Sequence, residues 1–266
     1  MKQVKAMVVN RLGESLHVQN QAIQPLKHEE IRIHVHACGL NFADLLLIKG
    51  QYQERIAPPF VPGMEVCGVV DAIGEGVDSL KIGERVACVP GHGGLATHLN
   101  VAASFCVRVP DALSDVAAAG FQIAYGTSHL ALTRRARLKK GETVAVLGAA
   151  GGVGLTAVEI AHLLGAHVIA VARGSEKLEI AHNAGADVLI DASEPDLKAR
   201  LKSEQPVHIV YDAVGGVMGE AALSTLSPEG RFLAIGFASG DIPHVRLNHL
   251  LVKNIDAIGF YWGGYT

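Results

Sequence analysis

Hydrophobic and polar positions follow two different rhythms along the chain, and the change falls near residue 112. The first 110 residues are strand-like. In IRIHVHACG, Ile31, Ile33 and Val35 fall on one face and Arg32, His34 and His36 on the other, the period-two signature of a half-buried strand. MEVCGVVDAIG and ERVACVP are short apolar runs bounded by Gly and Pro. Pro58, Pro59, Pro62, Gly63, Gly74, Gly76, Gly83, Gly91, Gly93 and Gly94 punctuate the stretch, so a barrel-like β domain is expected. His34 and His36 share a strand face, but without a third ligand nearby a solvated polar face is the simpler reading.

Beyond residue 112 the pattern turns helical and then alternates. ALSDVAAAGFQIAYGTSHLAL is Ala-rich and opens behind an N-cap-like Ser114 or Asp111. Strands TVAVLG, AHVIAVA, ADVLID, VHIVYDAV, GRFLAIG and NIDAIGF are separated by helical LTAVEIAHLL, SEKLEIAHNA, PDLKARLKSE and GEAALSTL. Continuously apolar strands in βα alternation predict a parallel sheet covered on both faces, and six of them predict the doubly wound dinucleotide-binding fold.

Composition narrows the function. About half of the 266 residues are apolar, enough for substantial cores. A net charge of -3 with scattered basic residues gives no footprint for nucleic acid or an acidic membrane. The densest basic run, Arg134, Arg135, Arg137, Lys139 and Lys140, reads as cations at a helix C-terminus. Cys38, Cys67, Cys88 and Cys106 contain no CxxC pair, which fits free thiols in a reducing compartment. No stretch approaches the ~20 apolar residues of a membrane span, and the N-terminus lacks a signal-like run, so a cytoplasmic location is expected.

The strongest chemical signal is Gly148-Ala149-Ala150-Gly151-Gly152-Val153-Gly154 between a strand and a helix. Such a turn aims backbone N–H groups and the positive helix end at a pyrophosphate. Gly151 and Gly152 admit the cofactor, and Gly154 lets helix and strand approach. NAD-binding folds place an acid at the end of the second strand, roughly 20 residues on. Here that position carries Ala172 and Arg173, followed by Ser175 and Lys177. Arg173, Ser175 and Lys177 suit a 2′-phosphate, so NADPH is the expected cofactor, with Glu176 the one residue arguing otherwise.

The stretches CGLNFADLLLIKGQY, PFVPGMEVCGVV, GAAGGVG, YDAVGG and LLVKNIDAIGFYWGGY resemble the medium-chain dehydrogenase/reductase superfamily and, within it, the zinc-independent quinone oxidoreductases. The resemblance implies a GroES-like substrate domain over 1–120, a Rossmann NADP-binding domain over 121–266 and an active site in the cleft between them. Zinc-dependent members carry a Cys and a His where this chain has Asn41 and Met64, so no metal site is expected. By the same resemblance Asn41 and Tyr52 are the catalytic pair. Asn41, Thr127, Gly236 and Phe237 join Gly148, Ala150, Gly151, Gly152, Val153 and Gly154 around the cofactor. Ala192 stands where the family often has a Tyr.

The function expected is a quinone reductase transferring a hydride from NADPH. Enone or alkenal double-bond reduction, and a non-catalytic NADPH-binding role, are the alternatives. The partners expected are a small quinone or enone and a second copy of the chain paired through NIDAIGF. The chain stops at Tyr265-Thr266, where family members continue into a segment completing the first domain. That departure leads us to expect cofactor binding to outlast turnover.

Overall fold

A computed structural model describes residues 3–204 and 206–265, and Thr266, named above, lies outside them. The chain divides into two compact units, Met1–Ile123 and Ala124–Thr266.

In the first unit the elements run β1 (Gln3–Val8), β2 (His17–Ala22), β3 (Glu30–Gly39), α1 (Phe42–Ile48), β4 (Glu65–Ile73), β5 (Arg85–Cys88), β6 (His98–Ala102), β7 (Cys106–Arg108) and α2 (Asp115–Ala119). Strands β1 and β2 form an antiparallel ribbon, and a five-stranded sheet has the order β6-β3-β4-β5-β7. All of its pairings are antiparallel. The alternation in β3 works as its sequence demands. Ile31 and Ile33 are fully buried in a cluster with Val66, Val70, Val86, Cys88 and Val101, while His34 stays exposed. Ser114, not Asp111, caps α2, its hydroxyl accepting from the N–H of Ala117 at 3.2 Å.

A helix α3 (Gln122–Leu130) spans the boundary between the units. The Ala-rich stretch is therefore two helices rather than one, broken at Gly120-Phe121, and it ends in a wider π turn over Ala131–Arg135. Arg134 and Arg135 close that turn, where cations offset the helix's exposed carbonyls.

The second unit continues β8 (Thr143–Leu147), α4 (Gly152–Leu163), β9 (His167–Ala172), α5 (Ser175–Asn183), β10 (Val188–Asp191), α6 (Leu197–Lys202), β11 (Val207–Asp212), α7 (Gly216–Leu223), β12 (Leu226–Ala234), α8 (Leu247–Lys253) and β13 (Asp256–Gly259). Every pairing in the sheet is parallel, in the order β10-β9-β8-β11-β12-β13. The chain thus leaves β8 toward one edge, then returns to build outward from its other side. β12 begins at Leu226, ahead of the GRFLAIG run that marks it in the sequence.

Period-two alternation survives inside these apolar strands, because each face feeds a separate core. Val144, Val146, Val168, Ala170, Ile209 and Tyr211 pack with α4 and α5 on one side. Ala145, Leu147, Ile169, Val171 and Val210 pack with α6 and α7 on the other. A half-buried ion pair pins the end of the sheet away from the glycine loop. Arg231 on β12 grips Glu142, just before β8, through two bonds of 3.0 and 2.7 Å, and its Nε donates to the Ala136 carbonyl at 3.0 Å.

Burial acts to raise the Glu142 pKa, but the Arg231 hydrogen bond and the Lys139 N–H outweigh it and hold the carboxyl below the ordinary range. A depressed acid stabilises the fold above its unfolded pKa, and that contribution is lost as pH falls through the folded value. Arg231→Ala should lower the unfolding free energy at pH 7 by about 2 kcal/mol, since it removes two charge-assisted bonds from a half-buried carboxylate. In urea titrations the gap between variant and parent should close as pH is lowered past the carboxylate range. A gap independent of pH would contradict this account of the pair.

Candidate functional site

In the second unit the loops after β8, β9, β10, β11 and β12 all emerge at the carboxyl end of the sheet. The strand order reverses between β8 and β11, and a doubly wound sheet opens its ligand crevice at that point. The Gly148–Gly154 loop leaves β8 there. Gly148 has φ 72°, a left-handed conformation suited to glycine, and its carbonyl accepts the Gly151 N–H at 2.9 Å.

Helix α4 starts behind Gly151 without a side-chain cap, so the first-turn N–H groups of Gly152, Val153 and Gly154 have no intrahelical acceptor. A Cβ on Gly152 would meet nothing within 4 Å, whereas one on Gly154 would stand 2.0 Å from the Gly148 carbonyl oxygen. Gly152 therefore opens a cradle and Gly154 seats the helix beneath it. Gly151 and Gly152 are exposed, and Ala150 and Val153 are half-buried. Uncapped donors, a positive helix end and open space together fit a dinucleotide pyrophosphate.

Below the loop, the buried hydroxyl of Ser128 meets Thr156 Oγ1 at 2.8 Å and Tyr211 OH at 2.9 Å, and donates to the Val153 carbonyl at 2.8 Å. This network fastens α3 and β11 to the first turn of α4. Thr127, beside Ser128 on α3, is buried.

At the end of β9, Arg173, Ser175 and Lys177 are all exposed around the first turn of α5. The structure adds an acid that reading along β9 misses. Asp191 ends the neighbouring β10 and pairs in register with Ala172. Its carboxylate is held below its ordinary range by the Ser193 hydroxyl, the Ser193 and Gly174 N–H groups, and the charge of Arg173. The oxygens of Asp191 are committed to those donors, at 2.7 to 3.1 Å. Ala192 follows it and packs against the core facing α6 and α7.

After β11, Asp212 Oδ1 accepts the N–H groups of Val214 and Gly215, both at 2.8 Å, while Oδ2 is buried without a partner. Burial pushes this carboxyl up, against the pull of those two donors. Gly236 donates to the Asp212 carbonyl at 3.2 Å, and the partly exposed Phe237 ring lies over Gly215. The structure thus gathers Gly148–Gly154, Arg173–Lys177 and Gly236-Phe237 on one rim of the sheet.

In the first unit Asn41 is the N-cap of α1, and two buried carboxylates hold it. Asp44 accepts the Asn41 N–H at 2.9 Å and the Gly63 N–H at 3.0 Å. Glu65 accepts the Asn41 side-chain amide at 2.8 Å and the Ile123 N–H at 3.1 Å. Burial raises both carboxyls above their ordinary values, and the N–H donors oppose it. Glu65 was visible in the sequence only as the third letter of Gly63-Met64-Glu65; its grip on Asn41 joins residues 24 apart and carries no local signal.

Asn41 sits between Leu40 and Phe42, both exposed. Tyr52 packs beside Val9, Leu47, Phe60 and Met64. Cys38 is a packed thiol, pushed up to about 12 by burial and by the nearby Asp44 and Glu65 charges. The donor set does not fit zinc. Met64 is 5% exposed within an apolar cluster, and the Asn41 amide is turned to Glu65. One imidazole was missed: His98 on β6 is the cross-strand partner of His34, with the rings stacked at 4.8 Å and His36 edge-on to His34 at 5.3 Å. Among the described residues no three His, Cys, Asp or Glu side chains converge as metal ligands.

Two family models match. The alcohol dehydrogenase GroES-like domain covers residues 27–111, and the zinc-binding dehydrogenase model covers 152–266. The chain is 40% identical to quinone oxidoreductase-like protein 2 of Bos taurus over 265 residues, covering 98% of this chain and 76% of that protein. Among solved structures, the quinone oxidoreductase of Thermus thermophilus, also solved in complex with NADPH, is 34% identical with a TM-score of 0.83, over 97% of this chain and 80% of that one. A mycobacterial protein complexed with NADPH is 32% identical with a TM-score of 0.91, over 98% and 83%.

The two loop glycines separate by experiment without any ligand. Gly154→Ala should destabilise the protein by about 2 kcal/mol in urea titrations, because the added methyl meets backbone that cannot step aside. Gly152→Ala should be neutral or raise stability by roughly 0.5 kcal/mol, since it gains helix propensity in open space. Equal effects at the two positions would contradict the geometry of the loop.

Proposed function

Because the chain belongs to the quinone oxidoreductases of the medium-chain dehydrogenase/reductase superfamily, a family of oxidoreductases, we propose that it is an NADPH-dependent, zinc-independent quinone reductase. The observation that carries this reading is the exposed Arg173, Ser175 and Lys177 group beside the uncapped, open Gly148–Gly154 cradle. The NADPH complexes of the Thermus and mycobacterial relatives support it.

When bound, NADPH supplies the hydride. The first-turn N–H groups of Gly152, Val153 and Gly154, with Gly148, Ala150 and Gly151 shaping the turn, hold its pyrophosphate. Arg173 and Lys177 pair with the 2′-phosphate, and Ser175 donates to it. Such charge-assisted bonds contribute about 1.5–3 kcal/mol each, less where exposed and screened by salt. Thr127, Gly236 and Phe237 meet the remainder of the cofactor. Asn41 has one amide hydrogen left after Glu65 takes the other, and it directs that donor toward an acceptor carbonyl or the cofactor ribose. Glu65 and Asp44 are positioning residues that fix the amide and the backbone of Asn41. Tyr52 orients the acceptor's oxygen or delivers its proton. The exposed apolar Leu40 and Phe42 beside Asn41 suit a planar quinone, a good hydride acceptor that needs orientation more than a Lewis acid.

Titration with NADPH and NADH at fixed salt, then turnover of metal-free protein against quinones and enones, tests the reading. NADPH should bind at least tenfold more tightly than NADH, a difference of about 1.4 kcal/mol. Arg173→Ala with Lys177→Ala should erase the preference. Tyr52→Phe should lower kcat/KM for a benzoquinone by about a hundredfold while leaving NADPH affinity in place. Equal cofactor affinities would end the phosphate-site assignment. Turnover of enones alone would move the chain to double-bond reduction, and no turnover at all would leave it an NADPH-binding protein.

We also propose that two copies pair through β13. It is an edge of the sheet, and α8 beside it exposes Leu247, Leu251 and Val252, each about three-quarters exposed, with Ile242 close by. An apolar patch along an open strand edge is an association surface. Light scattering at micromolar concentration should report a dimer, and Leu251→Glu should convert it to a monomer. A monomer in the parent protein would remove the proposal.

A further inference from the structure

Two of the four thiols face each other across one ladder. Cys88 ends β5 and Cys106 begins β7, and the two are direct partners in the antiparallel pairing. The kind of pair follows from the neighbouring bonds. Val109 N–H donates to the Arg85 carbonyl at 3.1 Å, so Arg85 and Val109 form a hydrogen-bonded pair. Antiparallel pairs alternate, which makes Val86–Arg108 non-bonded, Ala87–Val107 bonded and Cys88–Cys106 non-bonded.

Non-bonded pairs bring their Cα atoms to about 4.5 Å and their side chains closest. That separation lies inside the window, roughly 4.4–6.8 Å, that a disulfide spans. Both side chains lie on the same side of the sheet, in the cluster with Ile31, Val66 and Val101, and the Cys106 thiol reaches the Ala102 carbonyl at 3.9 Å. Cys67 is placed differently: its ladder partner is Ala87, and it packs with the cluster on the opposite face.

We propose that Cys88 and Cys106 form a reversible oxidative modification site, closing a disulfide when the protein meets hydrogen peroxide. Cys106 is the entry point. It is half-buried on the edge strand of the sheet, between the exposed Phe105 and Val107, whereas Cys88 is fully buried. The Cys106 sulfur attacks one peroxide oxygen; the S–O bond forms, the O–O bond breaks and the departing oxygen leaves as water. The Cys88 sulfur then attacks the Cys106 sulfenic acid; the S–S bond forms, the S–O bond breaks and a second water leaves. Two thiols lose two electrons and two protons, and one peroxide becomes two waters. The product ties β7 to β5 and closes a loop that contains β6.

The sequence makes the test direct. No Lys or Arg lies between Val86 and Arg108, so trypsin releases both cysteines on one peptide. The folded, full-length chain is treated with hydrogen peroxide at neutral pH, alkylated and digested. The Val86–Arg108 peptide should appear lighter by two hydrogens and unalkylated, and a dithiol reductant should restore two alkylation sites. In Cys88→Ser, Cys106 should instead be trapped by dimedone as its sulfenic acid. Two alkyl groups on that peptide after peroxide, while Cys38 or Cys67 is oxidised, would overturn the proposal. So would closure seen only in denaturant, or a Cys88→Ser protein whose Cys106 yields no dimedone adduct.

Discussion

Helix α4 must come within van der Waals reach of the turn that follows β8, and the second unit is arranged around that contact. The Gly148 carbonyl lies where a Cβ of residue 154 would be, so only glycine at that position lets the helix seat. Once seated, α4 presents an uncapped first turn at the place where the strand order reverses. The Ser128, Thr156 and Tyr211 hydroxyls lock the same turn from below, which leaves the donors above it pre-organised rather than adaptable. Binding capacity and packing are here one constraint, so a change that relieves crowding under the helix also moves the donors.

Most of this was legible in the sequence because it is local. Gly148–Gly154 between an apolar strand and a helix, and βα alternation running to NIDAIGF, each encode their structure within a short window. What was not legible joins distant residues. The stretch ALSDVAAAGFQIAYGTSHLAL has helical composition throughout, yet the chain breaks at Gly120-Phe121, and Ile123, in the next helix, gives its N–H to Glu65. Asp191 was invisible as a neighbour of Arg173 because it belongs to the next strand, and only parallel register places it there. His98 escaped for the same reason, lying 64 residues from its partner His34.

The first unit depends on a different device. Asp44 and Glu65 are both about 2% exposed, an arrangement that costs several kcal/mol per ion unless the oxygens are satisfied. Each is satisfied mainly by backbone N–H groups or by Asn41. Burial raises both carboxyls against the pull of those donors, so losing one of the N–H bonds would leave a buried acceptor unsatisfied. Asn41 is therefore oriented by two buried acids at once, one on its backbone and one on its side chain, and its remaining amide hydrogen has a defined direction.

Cofactor choice is less rigidly built than cofactor binding. The cradle relies on backbone donors fixed by packing, whereas Arg173, Ser175 and Lys177 project from an exposed turn where salt screens charge over about 10 Å. Asp191 stands close enough to Arg173 to feel its charge, but its oxygens already accept from Gly174 and Ser193. An acid so engaged offers little to a ribose hydroxyl, and Arg173 beside it remains exposed to solvent. On the proposed assignment the Asp191 charge opposes a 2′-phosphate placed at Arg173, while Lys177 projects from the first turn of α5. The discrimination between cofactors should accordingly rest more on Lys177 than on Arg173, although Arg173 is the residue that stands where an NAD-specific acid would be.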